Sequence, residues 1–378
     1  LDEKQLNKLA ERISAASTQQ CRVKAVIWRR DPITGRQVLI NQLRASRHFE
    51  VSSGKQPEEK RREDCFFCTG RTPSTLFYVD ESGRVVIEEE TKSLEKAKEF
   101  WEQQGRKQGN LPDHYALVGA LGGITLPERW RARTFFNLTP GLGEEDGNCY
   151  VTAAHPAYHY RDLADMPPAI VDAVIASWQV LEKSALAEGR IAVPFINGGK
   201  RPESGQSVSC FHSQTYVMNP PALYLDIAER RKTEGCPVCE VMHNDQWKDL
   251  FIKRVGRVWI GAYPAPVRNF SFLIAVESDG SKCPARISDL PENVRMDLAE
   301  SFRMVIQTYR QMFGEIPAYN IAVRCGDEVG HLHAEVIPKT RTNIPAGFED
   351  ATLTMALSER PENFAAIARE EMSAAACE

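Results

Sequence analysis

The 378-residue sequence contains no run of 18 apolar residues, so it offers nothing to build a membrane-spanning helix from and argues against a membrane partner. An excess of one charge is missing too. The 47 basic residues are scattered and face 51 acidic ones, a net charge of -4, so no basic stripe offers an electrostatic footprint for nucleic acid. The opening stretch, "LDEKQLNKLAERI", has a charged amphipathic helix pattern without the apolar centre of a signal peptide, and the expected compartment is the cytoplasm. With 42% apolar and 26% charged residues the chain reads as an ordinary globular protein, long enough for two domains or for one large duplicated one.

A zinc-ribbon spacing is also absent. Ten cysteines in a cytosolic chain point to metal ligation or catalysis rather than to disulfides. Two close pairs stand out, "CFFC" at Cys65 and Cys68 and "CPVC" at Cys236 and Cys239, but 168 residues separate Cys68 from Cys236, where a ribbon allows about 15–20. Each pair is therefore expected to find partners in its own half. The first-half candidates are Cys210 and, in "VTAAHPAYHY", His155, with His159 a near competitor that spacing does not exclude. The second-half candidates are Cys283 and His331. Three thiolates and one imidazole suit a closed tetrahedral site, so the expectation is two structural zinc ions. Cys21, Cys149, Cys325 and Cys377 lack such company and read as small buried hydrophobes or surface thiols.

What is present occurs twice. In "SVSCFHSQTYVMN" the residues Cys210, His212 and Gln214 alternate with apolar neighbours, and in "GHLHAEVIP" His331, His333 and Glu335 do the same. On a strand each trio shares one face. Each row follows a CxxC pair at long range, which predicts a tandem duplication with a first half at about 22–220 and a second at 221–355. Strand character in "KAVIWRR", "RQVLINQL", "RVVIEE", "NCYVTAA", "RVWIGAY" and "FSFLIAV" surrounds two helical patterns, "MPPAIVDAVIASWQVLEKSALAEG" and "LPENVRMDLAESFRMVIQTYRQMFG". The predicted class is α+β, with an antiparallel sheet and one long helix per half. Residues 91–113 read as a solvated insertion, and 356–378 as a C-terminal helix with a frayed end.

Taken in order, "LRASR", "CFFCTG", "FFNLTP", "VTAAHP", "FINGG" and "SCFHSQ", then "ISDL", "HLHAEVIPK" and "AGFE", resemble the galactose-1-phosphate uridylyltransferase superfamily, the duplicated branch of the histidine-triad nucleotide-binding proteins. The similarity covers most of residues 36–355 apart from the insertion. It implies a nucleotidyltransferase that moves a nucleoside monophosphate from a nucleotide or nucleotide sugar to a phosphorylated acceptor. It also implies zinc on Cys65, Cys68 and His155, and a homodimer that builds the site across its interface. The family's row, His-Pro-His-x-Gln, places a zinc ligand at Cys210, the nucleophile at His212 and its companion at Gln214. Ser207 falls on a phosphate-contacting serine, Arg44 and Arg47 on a pair that holds the sugar phosphate, Phe135 and Asn137 on the base pocket, and Asn197 beside the nucleotide. Glu349 matches a sugar-gripping glutamate, but Asn343, Phe348 and Met355 stand where hexose-specific members carry lysine, tyrosine and glutamine. The chain therefore looks closer to relatives, transferases and phosphorylases, that act on other activated nucleotides.

The residues themselves support that chemistry. A neutral imidazole can attack an α-phosphorus and split one hard transfer into two easier ones, provided its other ring nitrogen has an acceptor to fix the tautomer. An amide such as Gln214 donates to a phosphate oxygen without carrying a charge of its own. Glu335, an acid at the matching place, is expected to repel a phosphate, which makes the first row the catalytic one and the second structural. The rival expectations are a nucleotide phosphorylase or hydrolase, and a silent protein that binds zinc and nucleotides only.

Overall fold

Strands form where the apolar residues alternate or run together, and among the described residues all but two of them join into one antiparallel sheet. The structure is a computed structural model that describes residues 65–68, 75–87, 130–137, 145–208, 210–280, 282–340 and 357–374, two short strands at 27–30 and 37–40, and a few isolated positions. The short strands, β1 (Ile27–Arg30) and β2 (Gln37–Ile40), pair with each other. The remaining strands are β3 (Thr75–Asp80), β4 (Val85–Val86), β5 (Trp130–Phe136), β6 (Gly147–Ala154), β7 (Ile191–Gly198), β8 (His212–Met218), β9 (Phe251–Val255), β10 (Val258–Ala262), β11 (Phe272–Val276), β12 (Tyr319–Arg324) and β13 (His333–Pro338). Among the described residues they make an 11-stranded sheet in the order β4-β3-β5-β6-β8-β7-β12-β13-β11-β10-β9. The α-helices lying in full among the described residues are α1 (Pro168–Ala187), α2 (Ala222–Glu234), α3 (Pro237–His243), α4 (Glu292–Phe313) and α5 (Pro361–Ala374).

One element order appears twice along the chain: β5, β6, α1, β7, β8 and then β10, β11, α4, β12, β13. In the sheet the two sets meet back to back at β7 and β12, where Asn197 lies opposite Asn320. The registers also correspond: Ala153 of β6 faces His212 of β8, and Ala275 of β11 faces His333 of β13.

The long helices begin just inside prolines, whose missing N–H costs nothing in a first turn, and α4 ends at Gly314 in the left-handed region. Residues Ile170 to Ala185 of α1 are buried on nearly every side, because the helix lies between the sheet and α4. Arg295 of α4 grips Asp172 of α1 with two bonds, Nε to Oδ1 at 2.7 Å and Nη2 to Oδ2 at 3.2 Å. Asp172 is only 2% exposed, so removing the arginine alone costs about 3–5 kcal/mol. Trp178 Nε1 donates to Ser213 Oγ at 3.0 Å, which fixes Ser213 of β8 on the helix side. Strand alternation then sends His212 and Gln214 to the opposite face.

Two features are not visible in the sequence patterns. Helix α2 has little periodicity because only Tyr224 is buried, and it occupies the charged run before "CPVC". Strand β3 carries a continuous apolar run rather than an alternating one, since both its faces are covered. The C-terminal helix is present as α5, with Phe364, Ala365 and Ala368 buried. No described helix is long and apolar enough to cross a membrane. The predicted insertion at 91–113 lies outside the described residues.

Candidate active site and metal centres

The "CFFC" turn, the segment before β8 and a short turn after β6 converge. Cys65, Cys68, Cys210 and His159 place their ligand atoms within 4.8 Å of one another. His159 Nδ1 lies 3.1 Å from Cys68 Sγ and 3.2 Å from Cys210 Sγ, and the two sulfurs are 3.5 Å apart. The fourth member is thus His159, which corrects the assignment of His155. His155 instead caps the 3-10 turn Pro156–Tyr158, accepting at Nδ1 from Ala157 N at 3.1 Å, and its ring stands edge-on to Trp130. That turn reverses the chain and delivers the next histidine to the sulfurs.

The donor set fits zinc. Bonds of about 2.3 Å to sulfur and 2.0 Å to nitrogen put tetrahedral ligand atoms roughly 3.5–3.8 Å apart, close to the spacing seen. The thiols also show what the cluster needs. Hydrogen bonds from Cys210 and then Cys68 draw Cys65 down to about 2, while Cys65 and Cys68 together push Cys210 far up. By itself such a shell tolerates one thiolate; a dication allows all three.

The second cluster holds the expected residues. Cys236, Cys239, Cys283 and His331 gather their ligand atoms within 4.8 Å. Cys236 sits at the N-cap of α3, and His331 Nδ1 lies 3.2 Å from its sulfur and 3.3 Å from that of Cys239. His331 Nε2 donates to Val276 O at 2.8 Å, so Nδ1 is the nitrogen turned to the sulfurs.

On β8, His212 Nδ1 donates to Cys210 O at 2.8 Å, the carbonyl acceptor that a nucleophilic imidazole requires. A carbonyl can only accept, so the lone pair of the neutral ring is on Nε2. Phe67, between the two cysteines of the turn, stands edge-on to the His212 ring at 5.0 Å and to Phe135 at 5.6 Å. The turn is pinned by a residue that sequence reasoning missed. Arg133, 1% exposed, donates Nη2 to Phe67 O at 2.9 Å and Nη1 to Thr72 Oγ1 at 2.9 Å. Its guanidinium also lies 4.9 Å from the Phe135 ring. The signal was an arginine two places before Phe135 on a buried strand. Asn137 Nδ2 lies 3.4 Å from Gln214 Oε1, a long hydrogen bond that turns the other end of the Gln214 amide away.

The segment from Gly198 to Val208 carries Ser207, half-buried, and is held both from β12 and from residues before it in the chain. Asn320 Nδ2 donates to Asn197 Oδ1 at 2.8 Å and to Ser204 O at 2.7 Å. With its oxygen engaged, Asn197 keeps Nδ2 as a donor, and that nitrogen faces the inner side of Gly205, a residue at φ +80°. Gly199 N and Tyr319 OH both donate to Asp162, at 3.2 and 3.0 Å, and complete burial pushes that carboxyl up. Tyr319 lies so close over Gly198 that a Cβ there would fall 2.0 Å from its ring. If Asn320 orients Asn197 in this way, Asn320→Ala should lower kcat/KM about tenfold or more, with metal content and folding unchanged. Steady-state kinetics with the preferred donor would check this, and unchanged kinetics would dismiss the role.

The second row repeats the posture of the first. His333 Nδ1 donates to His331 O at 2.7 Å. Glu335, however, is not a bare acid as the sequence suggested: Arg324 Nη2 lies 3.1 Å from its Oε2, and burial, the larger effect, pushes its carboxyl up. Arg44, Arg47 and Glu349 lie outside the described residues, as do Asn343, Phe348 and Met355.

No family model matches the sequence, and no curated protein does. Solved structures share the fold. A uridylyltransferase is 18% identical over 92% of this chain and 99% of its own, with a TM-score of 0.62. An ADP-glucose phosphorylase from Arabidopsis thaliana, with bound ADP-glucose, is 19% identical with the same coverage and a TM-score of 0.58. A galt-like protein from the same plant is 19% identical, again over 92% and 99%, with a TM-score of 0.56. The chain therefore shares its fold with these uridylyltransferase and ADP-glucose phosphorylase structures.

Proposed function

We propose that this chain is a nucleotidyltransferase of the galactose-1-phosphate uridylyltransferase superfamily, working through a covalent nucleotidyl-histidine on His212. The observation that supports it most is the hydrogen bond from His212 Nδ1 to Cys210 O, which leaves the nucleophilic lone pair on Nε2. In the first step Nε2 attacks the α-phosphorus of a nucleotide donor, the bond to the leaving phosphate oxygen breaks, and the nucleoside monophosphate stays on the ring. In the second, a phosphate oxygen of the acceptor displaces the histidine. Gln214 and Ser207 donate to the phosphate oxygens, Phe135 and Asn137 border the base, Asn197 contacts the nucleotide, and Arg44, Arg47 and Glu349 hold the acceptor. Cys65, Cys68, His159 and Cys210 would hold a zinc ion whose contribution is a rigid anchor for the strand that aims His212.

On this reading the halves at 22–220 and 221–355 are tandem copies, the first catalytic and the second supporting. The working unit is a cytoplasmic homodimer. A phosphorylase, in which inorganic phosphate takes the acceptor's place, is the second reading, favoured by the likeness to the ADP-glucose enzyme. Incubation with a panel of nucleoside diphosphate sugars and dinucleotides, followed by intact mass measurement, tests the first step. An added nucleoside monophosphate is expected, and acceptor dependence then separates transfer from phosphorolysis. No adduct with any donor would leave a silent binding protein. Gln214→Glu should slow labelling at least about 100-fold, since it sets a carboxylate beside the phosphate. Labelling rates from rapid-quench experiments give the comparison.

A further inference from the structure

The second row has polar neighbours that correspond, place by place, to those of the first. Stepping across the strands leads from His212 through Ala153 to Arg133 and from His333 through Ala275 to Trp259, so Asn137 and Tyr263, each four residues further on, stand in the same relation to their rows. Both backbones confirm the match, with Asn137 N donating to Cys149 O and Tyr263 N to Ser271 O, each at 2.9 Å. On the other flank Arg324 pairs directly with His333, as Asn197 follows Ile196, which pairs with Ser213. Three amides around His212, Asn137, Gln214 and Asn197, are thus replaced around His333 by Tyr263, Glu335 and Arg324. This change of chemistry is not what burial alone favours, because apolar side chains fill a core at lower cost.

The ion pair there is incomplete. Only Arg324 Nη2 and Glu335 Oε2 meet, while Arg324 Nη1 and Glu335 Oε1 are buried with no hydrogen-bond partner. A guanidinium nitrogen can only donate and a carboxylate oxygen can only accept, so the pair matches a ligand that offers an acceptor and a donor side by side. A vicinal diol does this with two hydroxyls. Lys339 and Arg268 are both half-buried, and Lys339 is near enough to Glu335 and to Arg268 for both charges to act on it. Burial, and then the charge of Arg268, hold Lys339 below its usual value, while Glu335 acts the other way.

We propose that the second histidine row lines a separate binding site for a phosphorylated polyhydroxyl compound, a sugar phosphate or a nucleotide, held by its hydroxyls on Arg324 and Glu335 and by its phosphate on Lys339 and Arg268. Such a ligand is bound but not transferred. Where the first row offers the Gln214 amide to an α-phosphate, the second offers the acceptor Glu335, so the phosphate is kept away from His333.

The test uses the metal-loaded full chain carrying Gln214→Glu, which impairs the first site, in equilibrium dialysis against glucose 1-phosphate, AMP and inorganic phosphate. One equivalent of glucose 1-phosphate or of AMP is expected to remain bound, and whichever binds names the source of the hydroxyls. Inorganic phosphate should bind at least tenfold more weakly. Adding Arg324→Met with Glu335→Leu, an apolar pair in place of the ionic one, should remove the remaining equivalent. Should that chain not fold, Lys339→Ala at its half-buried position should still weaken binding about tenfold. No bound equivalent in the Gln214→Glu chain, phosphate binding as tightly as the others, or binding indifferent to these substitutions would each overturn the proposal. Labelling of His212 is measured separately on the unaltered chain, so failure of the transferase reading would not be mistaken for failure of this one.

Discussion

His212→Gly is expected to abolish nucleotide labelling, a loss of at least about 10⁴-fold, while leaving both metal clusters and the fold in place. The argument is geometric. No other described imidazole in the first half combines the carbonyl lock on one nitrogen with a place beside Gln214 and Asn137; His159 is turned to the sulfurs and His155 caps its turn. His212 is 3% exposed and packs edge-on to Phe67, so its removal should still cost about 1–3 kcal/mol of stability. Thermal unfolding would show that modest loss, and intact mass the absent adduct. Imidazole added to the buffer should restore part of the transfer, because the vacated space has the shape of that ring. His333→Asn should leave labelling nearly intact. If labelling instead survives the loss of His212 and vanishes with His333, the active half has been misassigned.

The second large effect concerns metal. Protein purified without added metal should carry two zinc ions per chain, since two closed shells of three sulfurs and one imidazole are assembled. Structural zinc of this kind contributes on the order of 10 kcal/mol to the folding of its surroundings, so losing a ligand is severe. Cys210→Ser should release the first zinc, loosen the turn that carries Phe67, and lower the unfolding temperature by well over about 5 °C. His159→Ala should do the same and His155→Ala should not, which separates two histidines that stand four places apart. Elemental analysis on the three variants reads this directly. A normally folded chain with a metal content near zero would refute the zinc reading, and retention of both ions in His159→Ala would return the choice to His155.

The sequence disclosed its sulfur chemistry because thiol spacing is a local property. "CFFC" and "CPVC" announce themselves, and Cys210, Cys283 and His331 were found from their company. The choice between His155 and His159 was not local. It depends on which way one 3-10 turn points its ends, and both histidines flank the same turn. The two long helices were legible from their periodicity, even though α1 is buried almost all round. Arg133, Asp162 and Asn320 were not legible. Each takes its role from a partner far away in the chain: Phe67, Tyr319 or Asn197. Glu335 was read as a repelling acid because Arg324, eleven residues earlier, becomes its neighbour only when β12 pairs with β13.

The pairing of β7 with β12 has a genetic consequence. The loop after β7 is held by Asn320 directly and by Asp162, which Tyr319 also bonds, and Tyr319 and Asn320 are encoded more than a hundred positions after His212. Neither strand set is therefore free to drift while the other is under selection. On the proposed function, a lesion in β12 would present as a defect at His212, and complementation between separately expressed parts would require the whole strand pair to re-form.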